Sequence, residues 1–185
     1  MMLRKNPESL TVANYDGRFR LLVPWFIQRR LEMMIVGTAP DVLNLADLDV
    51  RSNDIVVDEL RRSPVAYIAS EELEQPLELN PGKPLYVAID PLDGSSNIDT
   101  NVSIGTIFSV MPIACGKGDS PPDCFLQAGT QQLAAGYVIY GPQTALVMTL
   151  GDGTHMFTLN PDTGEFCLTF PNIRIPQETQ EFAIN

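Results

Sequence analysis

The chain has 185 residues, 44% of them hydrophobic and 8% aromatic, which is the length of one ordinary domain with enough apolar side chain to bury a core. Its 12 Lys and Arg against 23 Asp and Glu leave a formal charge of −11, which argues against nucleic-acid binding, because that affinity rests on cationic side chains that displace counterions from phosphates. An anionic substrate would meet the same repulsion, so either the carboxylates are scattered solvated charges or a bound cation neutralises some of them.

In the first forty residues, Pro24–Met34 reads as a helix with Pro in its first turn, closed near Gly37 and Pro40. Arg4 and Lys5 are followed by no apolar stretch of signal-peptide type, and the run Leu21–Ile27 is short and broken by Pro24. The expectation is a cytoplasmic protein with no membrane partner. A second helix is predicted over Asp49–Arg62, where Val56, Val57 and Leu60 recur at helical spacing and Ser63-Pro64 ends the element.

Beyond Pro64 the pattern turns to strands. Val65–Ala69 and Leu85–Ile89 are short apolar runs bounded by turn signals. Further strands are predicted over Ile104–Pro112, Leu133–Tyr140, Thr144–Leu150, Thr154–Leu159 and Glu165–Phe170, the last four separated by the turn signals Gly141-Pro142, Gly151-Asp152-Gly153 and Asn160–Gly164. Gly116–Pro122 reads as a flexible surface insertion. The fold class is α+β, with two N-terminal helices packed on a mostly antiparallel mixed sheet.

Three cysteines, Cys115, Cys124 and Cys167, make no disulfide framework and show no metal-type CxxC spacing. They read as ordinary thiols of a reducing compartment, with a redox pair between Cys115 and Cys124, which share a loop, as the alternative.

The chemistry concentrates at two strand ends. Ser70-Glu71-Glu72 follows the first apolar run and Asp90-Pro91-Leu92-Asp93-Gly94-Ser95-Ser96-Asn97 follows the second. Antiparallel strands would put these acidic ends at opposite edges, whereas parallel strands joined by a crossover through residues 72–84 bring them together, at the end of the sheet where parallel strands place ligands. The parallel arrangement is the expected one. Glu71, Glu72, Asp90 and Asp93 then converge, with Asp49 as a possible fifth carboxylate. Ionised side by side they repel, and divalent cations remove the conflict. Hard oxygen ligands with no His or Cys nearby select Mg²⁺ or Mn²⁺ over zinc. The lone His155, in a predicted strand, reads as a structural or surface side chain.

Pro91 suggests a tight turn that lets the Leu92 carbonyl face the same point as Asp90 and Asp93. Small residues at Gly94, Ser95 and Ser96 could present successive N–H groups to a phosphate. A metal site beside a phosphate site is what metal-assisted phosphate-ester hydrolysis requires. Each motif alone has a plainer reading. Glu-Glu after a strand is commonly a solvated turn, Asp-Gly-Ser-Ser a turn or helix cap, and Asp49 a helix cap; their placement at matching strand ends favours the functional one.

Ser70-Glu71-Glu72, Asp90 through Asp99, and Ser103–Phe108 together resemble class I fructose-1,6-bisphosphatase. Leu48-Asp49-Val50, Ser52-Asn53-Asp54, Ala134–Pro142 and the closing Phe182–Asn185 match as well. Asp-Pro-Leu-Asp-Gly alone would admit the wider superfamily of Mg²⁺-dependent, lithium-sensitive phosphatases, including inositol monophosphatases, and the Ser-Ser-Asn-Ile-Asp extension narrows it. The resemblance covers roughly residues 45–185. It implies half of a layered sugar-phosphatase architecture, with residues 1–44 a divergent arm and a C-terminal domain absent.

The resemblance further implies Mg²⁺-dependent hydrolysis of the 1-phosphate of fructose 1,6-bisphosphate to fructose 6-phosphate, in gluconeogenesis or the Calvin cycle. Glu71, Asp90, the Leu92 carbonyl and Asp93 would be metal ligands, while Glu72 and Asp49 would orient and deprotonate water. Asp93, Gly94, Ser95 and Ser96 would hold the 1-phosphate, with Asn185 beginning the sugar-phosphate side. A homo-oligomer, a tetramer by resemblance, is expected. The alternatives are another sugar bisphosphate or an inositol phosphate as substrate, or a truncated non-catalytic partner of a full-length bisphosphatase. Ala46 and Asp47 stand where the family usually carries two Lys.

Overall fold

A computed structural model describes residues 45–114 and 120–180, with side chains from Leu48 onward. The predicted helix at Pro24–Met34, Cys115, and Asn185 lie outside the described residues.

Helix α1 spans Leu45–Leu60. Leu48, Ser52, Asn53, Val56, Val57 and Leu60 are its buried positions, a stripe at the i, i+4 spacing that one helix face presents to a core. The helix ends at Leu60, a turn ahead of Pro64, which disfavours helical backbone at Ser63, and Asn80 clamps the exit: its side-chain amide reaches the carbonyls of Leu60, Ser63 and Val65 at 3.2, 3.1 and 2.8 Å.

The strands are β1 Val65–Ser70, β2 Leu77–Glu78, β3 Leu85–Asp93, β4 Ile104–Pro112, β5 Ala134–Tyr140, β6 Ala145–Thr149, β7 Thr154–Asn160 and β8 Glu165–Ile173. They form one sheet in the order β2-β1-β3-β4-β5-β6-β7-β8. The β1–β3 pair is parallel and every other pair is antiparallel, so the fold is the α+β class expected. The crossover between β1 and β3 carries the two-residue strand β2, too short for its alternation to be read in the sequence; Tyr67 anchors it by donating to the Glu78 carboxylate at 2.7 Å.

Alternation along the strands divides the sheet into two faces. On one, Ile68, Val87, Ile89, Phe108, Val138, Leu146, Phe157 and Phe166 join Val56, Val57 and Leu60 of α1 in the main core. Burying such side chains stabilises the fold by about 1.5–3 kcal/mol each. The opposite face is built from smaller and half-exposed residues and carries a groove of about 740 Å³, lined in part by Ile107, Ser109, Tyr137 and Thr149 and reaching Glu71 and Asp90 at one end.

Two expectations need correction. Pro121 and Pro122 do not belong to a flexible insertion but open a short helix, α2 Pro121–Phe125, whose Ser120 cap exchanges hydrogen bonds with Asp123. Prolines suit a first helical turn because the N–H they lack would be unpaired there anyway. Cys124 is not a free thiol: it is disulfide-bonded, while Cys167 is free. It is buried with Ala66 and Tyr86, and the Phe125 ring stacks on Tyr86 at 4.9 Å, so α2 is fastened to the sheet.

Candidate functional site

Parallel pairing sets Ala69 beside Ala88 and Ser70 beside Ile89, so β1 and β3 deliver their carboxyl ends to one place. The ladder continues one residue further, with the Glu71 N–H donating to the Ile89 carbonyl at 3.1 Å. This contact holds Glu71 next to Asp90, and their side chains share a hydrogen bond. Leu73 N–H returns to the Ser70 carbonyl and the Ser70 hydroxyl accepts from the Glu72 N–H at 3.3 Å, turning the chain at Glu72, which lies within the field of Asp49 on α1 and of Glu71.

The carboxylates therefore gather as neighbouring pairs. Burial first, then the shared hydrogen bond and charge of Glu71, push Asp90 up to about 6, against the Leu92 N–H that donates to it at 3.0 Å. Glu72 is also raised, by burial and then by the charges of Asp49 and Glu71. Asp93 adds to the negative field at Asp90. Asp49 Oδ1 and Asn53 Oδ1, one helical turn apart, are both buried without a hydrogen-bond partner. Among the described residues no three His, Cys, Asp or Glu side chains stand close enough to hold a metal ion together.

The segment Asp90–Asp93 is not the tight turn expected. It continues β3, with Asp90 opposite Ile107 and Asp93 opposite Gly105, so that Pro91 and Leu92 together face Thr106. Two residues against one is a β-bulge. Pro91 is tolerated inside a strand there because no ladder donor is required of it. The bulge also settles which way the acids point. Residues three apart in a regular strand lie on opposite faces, and one extra residue restores Asp93 to the face of Asp90.

Gly94 then takes a left-handed backbone, φ 78°, and caps a 3₁₀ turn over Ser95–Thr100, a conformation most side chains resist. Ser95 and Ser96 open this turn directly after the acidic bulge. The Asn97 N–H makes the first bond of the turn, to the Gly94 carbonyl at 2.8 Å, and Asn101 caps its end, with its N–H on the Ile98 carbonyl at 3.1 Å. His155 is buried in β7, where its Nδ1 accepts from the Asn172 N–H at 3.1 Å, a structural position.

Sequence reasoning gave no role to Thr106, Tyr140 or Asn53. Thr106 is 2% exposed; its hydroxyl donates to the Pro91 carbonyl at 2.9 Å and lies 2.8 Å from the Tyr140 hydroxyl. The available signal was a polar residue inside an apolar strand run.

The architecture is that of an α+β chain with helix α1 on a mixed sheet, whose acidic residues gather at the ends of two parallel strands directly before a small-residue turn. Its family is narrower than that. Residues 41–171 match the model of the family "Fructose-1-6-bisphosphatase, N-terminal domain", and the chain belongs to that family.

Curated relatives named class 1 fructose-1,6-bisphosphatase include one from Rhizobium meliloti (strain 1021), 55% identical over 139 residues that cover 75% of this chain and 40% of the relative. One from Hydrogenophilus thermoluteolus is 58% identical over 124 residues, covering 65% of this chain and 34% of the relative. The fold matches the crystal structure of Leishmania major fructose-1,6-bisphosphatase in holo form with a TM-score of 0.80 and 33% identity, over 93% of this chain and 61% of that one. The chain thus spans about 40% of the length of curated relatives that it matches.

Proposed function

We propose that this chain is the metal- and phosphate-binding half of an enzyme that hydrolyses the 1-phosphate of fructose 1,6-bisphosphate to fructose 6-phosphate, with Mg²⁺ as the cofactor and Mn²⁺ as its substitute. The observation that carries the reading is the Glu71·Asp90 contact at the ends of two parallel strands, with Glu72 and Asp49 beside it. Carboxyl groups so placed must share a proton or a cation, because like charges in contact cannot all ionise freely. The unpartnered, buried Asp49 Oδ1 supports the same fit.

In this reading the Glu71·Asp90 pair, joined by Asp93 and the Leu92 carbonyl as a cation draws them closer than they stand without it, would supply the oxygen ligands, a hard set suited to Mg²⁺. A divalent cation bound there would neutralise phosphate charge and make a neighbouring water more acidic. Glu72 and Asp49 orient that water and take its proton; the raised affinity of Glu72 for a proton suits it to that role. Asp93 and the N–H groups of Gly94, Ser95 and Ser96 hold the 1-phosphate, with Asn185 on the sugar side. A cytoplasmic homo-oligomer completes the proposal.

Calorimetric titration with Mn²⁺ of the parent and of Asp90→Ala tests the metal assignment. Binding by the parent and its loss in the variant is expected, and equal binding overturns the assignment. Phosphate release from fructose 1,6-bisphosphate, sedoheptulose 1,7-bisphosphate and inositol phosphates, with the remaining part of a relative's chain supplied in trans, tests the substrate. Equal rates on all of them would overturn the fructose reading.

A further inference from the structure

We propose that Thr106, backed by Tyr140, is a positioning residue that holds the β3 bulge in place and so keeps Asp90 and Asp93 on one face of the sheet. The bulge has a cost. Pro91 and Leu92 lie opposite a single residue of β4, so the ladder that pairs Asp90 with Ile107 and Asp93 with Gly105 is broken between them. Pro91 is fully buried, and a buried carbonyl left without a donor is destabilising because nothing replaces the water it has lost. Thr106 is the residue facing the break, and its hydroxyl closes it.

The direction of the hydrogen bonds follows from the donor count. A threonine hydroxyl has one hydrogen and accepts through its lone pairs. That hydrogen goes to the Pro91 carbonyl, so the 2.8 Å contact to Tyr140 is made by the phenol donating to Thr106 Oγ1. The result is a chain, Tyr140 O–H to Thr106 O–H to the Pro91 carbonyl, in which each bond polarises the next. Register brings its members together. Thr106 pairs with Val138 and Ile104 with Tyr140, so Thr106 and Tyr140 are diagonal neighbours on the core face of β4 and β5.

The other side of the bulge is tied by the Leu92 N–H donating to Asp90 Oδ1 at 3.0 Å. The Pro91 carbonyl is thus held from the core face and Leu92 from the opposite one, with the two acids bracketing the pair. Released from Thr106, the segment can return to regular pairing, and Asp93 then turns away from Asp90.

The inference rests on the metal reading for its consequence but not for its geometry, so two measurements are made on the full chain. The first is amide hydrogen exchange at Leu92 and Asp93. Thr106→Val, which keeps the shape and removes the hydroxyl, is expected to speed exchange there by roughly tenfold, as loss of a buried hydrogen bond worth about 1.4 kcal/mol would. Thr106→Ser is expected to restore the parent rate to within about threefold, with Tyr140→Phe between the two.

The second is Mn²⁺ affinity followed by electron paramagnetic resonance. It should weaken roughly tenfold in Thr106→Val, the lower end of what loss of a residue supporting a metal ligand costs, and recover in Thr106→Ser. Phe166→Leu, remote in β8, controls for a loss of stability alone and should leave both readouts unchanged. Parent-like exchange at Leu92 and Asp93 in Thr106→Val overturns the inference, as does equal weakening in the serine and valine variants. A parent chain that binds no Mn²⁺ overturns the metal reading, and the exchange measurement still decides the positioning role.

Discussion

Asp90→Asn is expected to stabilise the metal-free chain at neutral and alkaline pH while destroying its proposed cation site. In the folded chain Asp90 titrates at about 6, above its ordinary value of 3.8. The folded state therefore holds the proton more tightly than the unfolded state. The contribution of this group to stability is fully present below about pH 4 and is lost as pH rises through about 6. At roughly 1.4 kcal/mol per pH unit the displacement amounts to about 3 kcal/mol, and solvent screening of a partly exposed group reduces this to about 1–2 kcal/mol.

Asparagine removes the charge but keeps an oxygen for the Leu92 N–H and offers an amide hydrogen to Glu71. Urea unfolding with a chelator present should show Asp90→Asn more stable than the parent by about 1–2 kcal/mol at pH 8, and within about 0.5 kcal/mol of it at pH 4. Adding Mn²⁺ at one hundred times its dissociation constant should stabilise the parent by about 2.7 kcal/mol and reverse the order. An Asp90→Asn chain no more stable than the parent at pH 8 without metal would refute the electrostatic argument.

Three further substitutions probe the scaffold that carries the site. A Cβ at Gly105 would stand 2.5 Å from the Val138 carbonyl of the neighbouring strand; Gly105→Ala should lower unfolding free energy by about 1–3 kcal/mol, measured by urea titration. Asn80→Ala removes the amide shared among the Leu60, Ser63 and Val65 carbonyls and should cost about 1–3 kcal/mol, with faster exchange at the start of β1. Phe166→Ala, at a residue 2% exposed, should cost about 3–5 kcal/mol; a loss below about 1 kcal/mol would mean that β8 is not part of the core.

Much of the sheet was legible because its strands are separate apolar runs with strong turn signals between them. Ile104–Pro112 was delimited to the residue, and the parallel β1–β3 pair followed from asking where two acidic ends would have to meet. The errors fall where local chemistry was overruled by neighbours. Pro121-Pro122 looks like loop sequence until Ser120 and Asp123 are seen as a capping box. Cys124 looks like an ordinary thiol because an odd, sparse set of cysteines carries no pairing information.

The Asp90–Asp93 segment shows why the candidate site could be read only in part. Two acids three residues apart can be brought to one point by a turn or by a bulge, and the sequence of the segment itself, with Asp-Pro at its start and Gly at its end, suits either. The two solutions differ in what they ask of the neighbouring strand. A turn leaves β3 and needs nothing from β4. A bulge stays in the sheet, buries the Pro91 carbonyl, and needs a donor at the one residue opposite it, which is Thr106. The deciding information thus lies fifteen residues downstream of Pro91, in a hydroxyl whose partner can be named only once the register of β3 against β4 is known.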